Sequence, residues 1–518
     1  MIYSNRSINL WQSDVAILCY LSLTKLLIHF LTNGQYGYFF DEFYFIDDGE
    51  HLDWGFAEYP PLVSVLADIS RWLLGDSLFA IRFFPAVAGS LTVLFTGLMV
   101  RELGGGRFAQ CLAAFCVIVS PMYLWHHTVL TMNAFEPLIW LLCTYITILI
   151  VKHNSPKLWL LVGLMVGIGW LNKYSIIFFC FGLFVGLLIT PNRQLLLNRW
   201  IWIAGLIAFT IALPNLIWQA IHGWPFIEIQ KADQADYQVD FWISTINFTL
   251  QQIFQMHPLT FPIALAGFYH YFRDTEGRLY RFIGWLCIVV FGLLIILKSR
   301  EIYYLAPIYP LLWAPGAIKV EKLIYYNRRR LKSIILAVLI TGGIITMPAS
   351  LPVLPLETFI SYSRFSRYLL PIWEYPFMLE PKEVTAPFRW MLGWEETVAT
   401  VAKVYHSLLP SEQAKCAILA WFYGDAGAID VLGRTYDLPK SISGALNYYF
   451  WGPRKYSGKI VISVGGDLNY LKQLFNQVEQ VAMITNEKVG KSSNTPIYLC
   501  RQIKIPLEQN WSSFRNSG

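Results

Sequence analysis

Two adjacent carboxylates, Asp41 and Glu42, follow directly on an apolar run of the chain. An acid in that position loses part of its hydration, which raises its proton affinity toward that of a general base working near neutral pH. Asp47, Asp48, Glu50 and Asp53 stand close by, so an ordinary exposed loop acid is the competing interpretation. Asn133 and Glu136 are three residues apart, which on a helix gives one shared face, and Thr131 is the expected N-cap. Helix capping and an acid in a first turn explain this second group as well as chemistry does. The cations come from elsewhere. Lys173 lies in the short link after Asn172, Lys298 and Arg300 precede the pair Tyr303 and Tyr304, and Arg82 opens an apolar run. Such groups at one membrane face suit an anionic headgroup, although long basic side chains also snorkel there without a ligand. His51 and His222 are isolated, and the structural role is the more common one. Carboxylate, cation and phenol together would hold a lipid-borne phosphate and activate a hydroxyl beside it.

The elements that must position these residues are membrane helices. Of the 518 residues 55% are hydrophobic and 14% charged, against about 25% charged in soluble domains. Apolar runs occupy 14–33, 79–100, 108–124, 134–152, 157–171, 174–190, 199–218, 257–272, 279–297, 303–318 and 331–352. Several are shorter than the roughly 20 residues of a straight span. The first run is long and lacks a small-residue cleavage site, so it reads as a retained anchor. Alternate loops separate by charge. One set carries Arg101, Arg107, Lys152, Lys157, Arg193, Arg199, Arg273, Arg278, Arg281 and the cluster from Lys319 to Lys332, whereas the other has only Arg71, Lys173, Lys231, Lys298 and Arg300. The bias puts the first set in the cytoplasm, and loops 34–78 and 219–256 with everything after about 353 outside. A net charge of +6 then reflects cytoplasmic loops and not nucleic-acid binding. In loop 34–78 the stretch 61–74 has helical apolar spacing, and Pro60 and Pro61 would start an interfacial helix.

Near 353–382 the long apolar runs stop. Residues 394–409 have amphipathic helical spacing; 415–423 and 459–465 read as buried strands, 467–478 as a helix, and 480–484 and 497–502 as further strands. This alternation predicts a small α/β domain with a largely parallel sheet. The segment 437–453 reads as an exposed loop, with the lining of a sugar or acceptor site as the alternative. Cys416 and Cys500 fall in this domain and would pair only in an oxidising compartment and if they are adjacent. No Gly-rich phosphate loop and no Cys/His cluster is present, so neither nucleotide, metal nor other cofactor is expected. The expected architecture is an all-α polytopic membrane domain over 1–352, with about eleven spans, and an extracytoplasmic α/β domain over 353–518.

The motifs FFDEFYF (39–45), EYPPL (58–62), the stretch 75–109 that contains SLFAIRFFP, TMNAFEPLIW (131–140), LNKYSIIFF (171–179) and SREIYYLAPIYP (299–310) resemble the polytopic GT-C glycosyltransferases of family 39. That family includes protein O-mannosyltransferases and the aminoarabinose transferases of lipid A, and the resemblance covers about residues 35–320. It implies an inverting hexosyl- or pentosyltransferase using a polyprenyl-phosphate-linked sugar at the outer face of the cell (inner) membrane. The acceptor would be a lipid, glycan or protein. Asp41 matches the family's base candidate, with Glu42 as its neighbour, while Lys298, Arg300, Tyr303 and Tyr304 fall where relatives bind the lipid phosphate. Two departures follow. Tyr59 stands where the aminoarabinose transferases have a lysine, so Arg82 or Lys173 is expected to replace it beside Tyr59. Asn133 stands where many relatives have an aspartate, leaving Glu136 or His51 to serve the acceptor side. The rival function is a polytopic lipid or sugar transporter or flippase, against which stands the concentration of charge in outer loops.

Overall fold

The computed structural model describes residues 13–236, 239–299, 301–324, 329–369, 388–485 and 494–515. Each expected apolar run contains a helix. The first half of the chain forms α1 (Asp14–Thr32), α2 (Phe40–Gly49), α3 (Leu62–Leu74), α4 (Leu78–Ile81), α5 (Phe83–Glu102), α6 (Arg107–Val119), α7 (Pro121–His126), α8 (Glu136–His153), α9 (Trp159–Asn172), α10 (Ile176–Leu188) and α11 (Arg199–Ile221). The helical domain continues with α12 (Pro225–Asp236), α13 (Phe241–Gln255), α14 (Phe261–Arg273), α15 (Arg281–Ile296), α16 (Tyr309–Leu323), α17 (Arg329–Thr346) and α18 (Leu356–Leu369). Among the described residues, 6 helices are long and apolar enough to cross a membrane alone, or 7 if the bent pair Ile176–Leu188 and Pro191–Leu197 counts as one. The remaining apolar helices are shorter than a straight span because breaks such as Ser120-Pro121 divide the runs.

Short side chains let these helices pack at backbone distance. A Cβ at Gly267 of α14 would lie 2.1 Å from the Leu312 carbonyl oxygen of α16, and one at Gly316 would lie 1.9 Å from that of Ile263. Beside the link between α5 and α6, Arg107 pairs with Asp14 at the start of α1 (2.7 Å) and Lys152 with Glu102 (3.0 Å). Leu62–Leu74 is a helix entered through Pro61, as the double proline predicts.

The C-terminal domain contains α19 (Trp394–His406), α20 (Pro410–Gln413), β1 (Cys416–Ala420), α21 (Tyr423–Leu432), α22 (Leu446–Trp451), β2 (Ile460–Val464), α23 (Leu468–Leu474), β3 (Phe475–Ile484) and β4 (Thr495–Ile503). The sheet order is β1-β2-β4-β3, with β1–β2 parallel and β2–β4 and β3–β4 antiparallel. The expectation of a largely parallel sheet is therefore corrected. The helix expected over 467–478 stops at Leu474, and the largely exposed strand β3 takes over, which makes a direct antiparallel pair with β4 without a crossover helix. Cys416 and Cys500 are free and buried, because β2 lies between their strands. One sheet face, with Ile418, Ile462 and Leu499, joins the same apolar core as α2 and the membrane helices. Ala417, Val461 and Cys500 fill a separate core on the other face.

Candidate active site

The first turn of α2 carries the acidic pair, and the two carboxylates have opposite surroundings. Glu42 is at the third helical position, and its Oε2 reaches back to accept the Phe39 amide at 2.8 Å, satisfying an orphan donor of the helix start. Its oxygens also receive Arg82 Nε at 2.9 Å and Nη2 at 2.8 Å, and the Leu130 amide at 3.1 Å. Both side chains of this ion pair are 0% exposed. The remaining guanidinium hydrogens go to the carbonyls of Asn33 (2.8 Å), Gln35 (3.5 Å) and Gly37 (2.7 Å). All five Arg82 donors are committed, so the expectation that Arg82 binds the donor phosphate is replaced by a structural role. Glu42 is likewise saturated and holds the loop in place of acting as a base.

Asp41, one residue earlier, points the other way. The Tyr423 hydroxyl donates to its Oδ1 at 2.8 Å, and Oδ2 makes no hydrogen bond among the described residues. Burial pushes Asp41 up to about 7, opposed by the Tyr423 hydrogen bond and assisted by the Glu42 charge. Glu58 shares this surrounding. Burial, then the charges of Asp41 and Asp233, push it up to about 8. The loop that presents Glu58 is held on both sides. Asn215 donates to the Trp54 carbonyl at 2.9 Å, Gln219 to that of Phe56 at 3.0 Å, and the Ala57 amide donates to Asn447 Oδ1 at 2.7 Å.

Lys173 ends α9 and is 12% exposed beside Glu136, which is 4% exposed. Its ammonium donates to Asn133 Oδ1 at 2.7 Å and Glu136 Oε2 at 3.1 Å. The ammonium lies 4.0 Å from the ring centroid of Tyr304 and 5.4 Å from that of Tyr303. Burial lowers the Lys173 proton affinity, and Glu136 opposes that shift. Tyr303 sits edge-on to His126 at 5.0 Å, and the Asp41 charge reaches Tyr303 while that of Glu58 reaches Tyr304. The tyrosine pair is thus within reach of both the carboxylates and the Lys173 ammonium. Asn133 lies in a 3-10 turn and Glu136 opens α8, and the Thr131 side chain makes no capping hydrogen bond. The pair therefore meets through Lys173 and not through a shared helical face.

Other expected site residues are elsewhere. Tyr59 is buried and bonded to Asp48 and, at 2.9 Å, to Ser64, so it supports the loop and does not face a donor. His51 Nδ1 donates to the Asp47 carbonyl (3.0 Å) and its ring stacks on Trp451 at 4.2 Å, which ties it to the C-terminal domain. His222 stacks on Trp218 at 4.0 Å. Lys298 is exposed at the end of α15, and no side-chain contact joins it to Asp41 or Lys173. Arg300 lies outside the described residues.

The segment 437–453 is not an exposed loop, since Ser441 through Tyr448 are buried. It docks the C-terminal domain on α2. Lys440 pairs with Asp47 at 2.8 Å and Glu50 at 3.0 Å, and Asn447 donates to Asp48 at 2.8 Å. Sequence reasoning missed Tyr423 and the role of Glu58. The motif EYPPL held Glu58 in view, whereas nothing in AWFYGDAG (420–427) marks Tyr423 as a neighbour of a residue far upstream.

Residues 58–218 match the family described as dolichyl-phosphate-mannose-protein mannosyltransferase. The fold is similar to that of ArnT from Cupriavidus metallidurans bound to undecaprenyl phosphate, with a TM-score of 0.59 and 12% identity over 94% of this chain and 98% of that one. It is similar also to the apo state of that protein, with a TM-score of 0.57 and 11% identity over 93% and 97% of the two chains. At such identity the likeness is one of fold. No curated protein sequence matches the chain.

Proposed function

We propose that this chain, a multi-pass membrane protein of the GT-C fold, is a glycosyltransferase of the protein mannosyltransferase type that moves a sugar from a polyprenyl-phosphate-linked donor to a hydroxyl acceptor at the outer face of the membrane. The observation that carries this proposal is one sheltered carboxylate, Asp41, whose charge reaches Tyr303, with the Lys173 ammonium packed on the rings of Tyr303 and Tyr304. The undecaprenyl phosphate in the similar ArnT structure supports the donor class.

The reaction is a direct displacement. The acceptor hydroxyl attacks the anomeric carbon as the bond from that carbon to the phosphate oxygen breaks, with inversion. Asp41 Oδ2 takes the acceptor proton, and the electron pair leaves on polyprenyl phosphate. Lys173, buried against the tyrosine rings, stabilises the charge of the departing phosphate. A phosphomonoester leaves as an anion and needs no general acid. Burial pushes both carboxyls up, Asp41 to about 7 and Glu58 to about 8, and the charge of Asp41 adds to the shift of Glu58. Near neutral pH the pair therefore holds a proton between its two members, so that one can accept the acceptor proton while the other donates to a sugar or acceptor oxygen.

The test is release of polyprenyl phosphate by the purified protein in lipid nanodiscs, supplied with a panel of polyprenyl-phosphate hexoses and pentoses and a hydroxyl acceptor. Asp41→Asn abolishes release while expression stays unchanged. Turnover of D41N at the wild-type rate, or no release from any lipid-linked sugar, defeats the proposal.

A further inference from the structure

Asp41 and Tyr423 are separated by 382 residues and joined by a 2.8 Å hydrogen bond. The approach of their elements is close. A Cβ at Gly424 would lie 3.0 Å from Phe40 Cβ, and one at Gly427 would lie 2.8 Å from Phe43 Cβ. Glycine one turn apart on α21 thus lets that helix lie on α2 with Tyr423 at the acid. The phenol ring is itself fixed, by Phe40 at 5.6 Å, Tyr44 at 5.1 Å and Phe422 at 4.8 Å between centroids. Further along, Lys440 bridges Asp47 of α2 and Asp430 of α21, and Asn447 of α22 donates to Asp48 of α2.

We infer that Tyr423 is a positioning residue for the transfer reaction: the C-terminal domain supplies the hydroxyl that holds Asp41 Oδ1 and leaves Oδ2 for the acceptor. This inference rests on the role proposed for Asp41. The domain is then a working part of the active site and not an accessory. The titratable groups that face Asp41 are Glu42 from α2, Glu58 from the following loop, Tyr303 from the turn Ile302–Ile308 and Tyr423 from α21. Glu42 is paired with Arg82, and among the described residues Tyr423 is the neighbour that donates a hydrogen bond to Asp41. Such a bond favours the ionised carboxylate.

The experiment is the pH profile of kcat for sugar transfer by the full chain. In Tyr423→Phe the ascending limb moves up by about one pH unit, the size expected for loss of a hydrogen bond to a charged group. The rate below the limb falls about tenfold, and kcat recovers to near the wild-type plateau at alkaline pH. Replacement of Tyr423 by 3-fluorotyrosine, a nearly isosteric and more acidic donor, moves the limb down and covers the case in which Y423F does not fold. Arg501→Gln breaks a contact with Glu412 elsewhere in the domain (2.9 Å) and leaves the limb in place. A wild-type profile for the folded Y423F protein, or for the 3-fluorotyrosine protein, overturns the inference. An active D41N protein would instead overturn the assignment of the base.

Discussion

Replacing Arg82 by methionine separates its two conceivable roles. The guanidinium makes two bonds to Glu42 and bonds to three loop carbonyls, all without exposure to water. Its removal leaves the Glu42 carboxylate buried with only the amides of Phe39 and Leu130 as donors. Removing one partner of a buried pair costs about 3–5 kcal/mol. Glu42 retains two amides, so we take a value of about 4 kcal/mol, or roughly a thousandfold in the folded-to-unfolded ratio. The assay is the midpoint of denaturant-induced unfolding in detergent micelles, followed by tryptophan fluorescence. The double variant Arg82→Met/Glu42→Leu recovers more than half of the loss, because the uncompensated charge goes with its partner. The donor KM of whatever protein remains folded is unchanged. A wild-type unfolding midpoint in R82M together with a raised donor KM would refute the reasoning and return Arg82 to the phosphate.

The transfer rate of the wild-type protein falls tenfold per pH unit below about 7, because the base works only after losing its proton; kcat profiles from pH 5 to 9 check this. Glu58→Gln removes the second buried acid and moves that limb down, because the charges of Asp41 and Glu58 repel; an unmoved limb in the folded E58Q protein would mean that the two acids do not interact. Asn133→Asp puts a second carboxylate on Lys173, where the amide now accepts at 2.7 Å, and raises the donor KM by about tenfold through competition with the phosphate, measured with a fixed saturating acceptor. Gly427→Val forces its side chain into the Phe43 backbone, 3.1 Å from where a Cβ would begin. It weakens docking of the domain by about 1–3 kcal/mol, read as faster proteolytic release of the C-terminal domain with parallel loss of transfer.

The membrane character, the helix positions and the acidic turn at Asp41 were legible because each is a local or compositional property. Apolar runs declare themselves one segment at a time, and the helix Leu62–Leu74 follows from its double proline and its spacing. Strands β1 and β2 were legible for the same reason, as short buried runs. The direction of pairing was not, because it depends on which strand edges meet, and β4 inserted between β2 and β3.

At the site, residue type alone left Asp41 and Glu42 indistinguishable. Tertiary structure separated them by the direction of successive side chains on one helical turn. Glu42 turns toward Arg82 and is spent on holding the loop, whereas Asp41 turns toward Tyr423 and keeps an oxygen in reserve. Lys173 was visible as a cation but only its burial between Glu136 and the tyrosine rings selects it over the exposed Lys298. Chemistry at a carboxylate depends on desolvation and on the donors within a few ångströms, and these are supplied here by chain segments hundreds of residues apart. The sequence by itself therefore determined the solvent in which this protein folds and the residue types available. Which of them meet, and in what state of protonation, was decided by long-range packing.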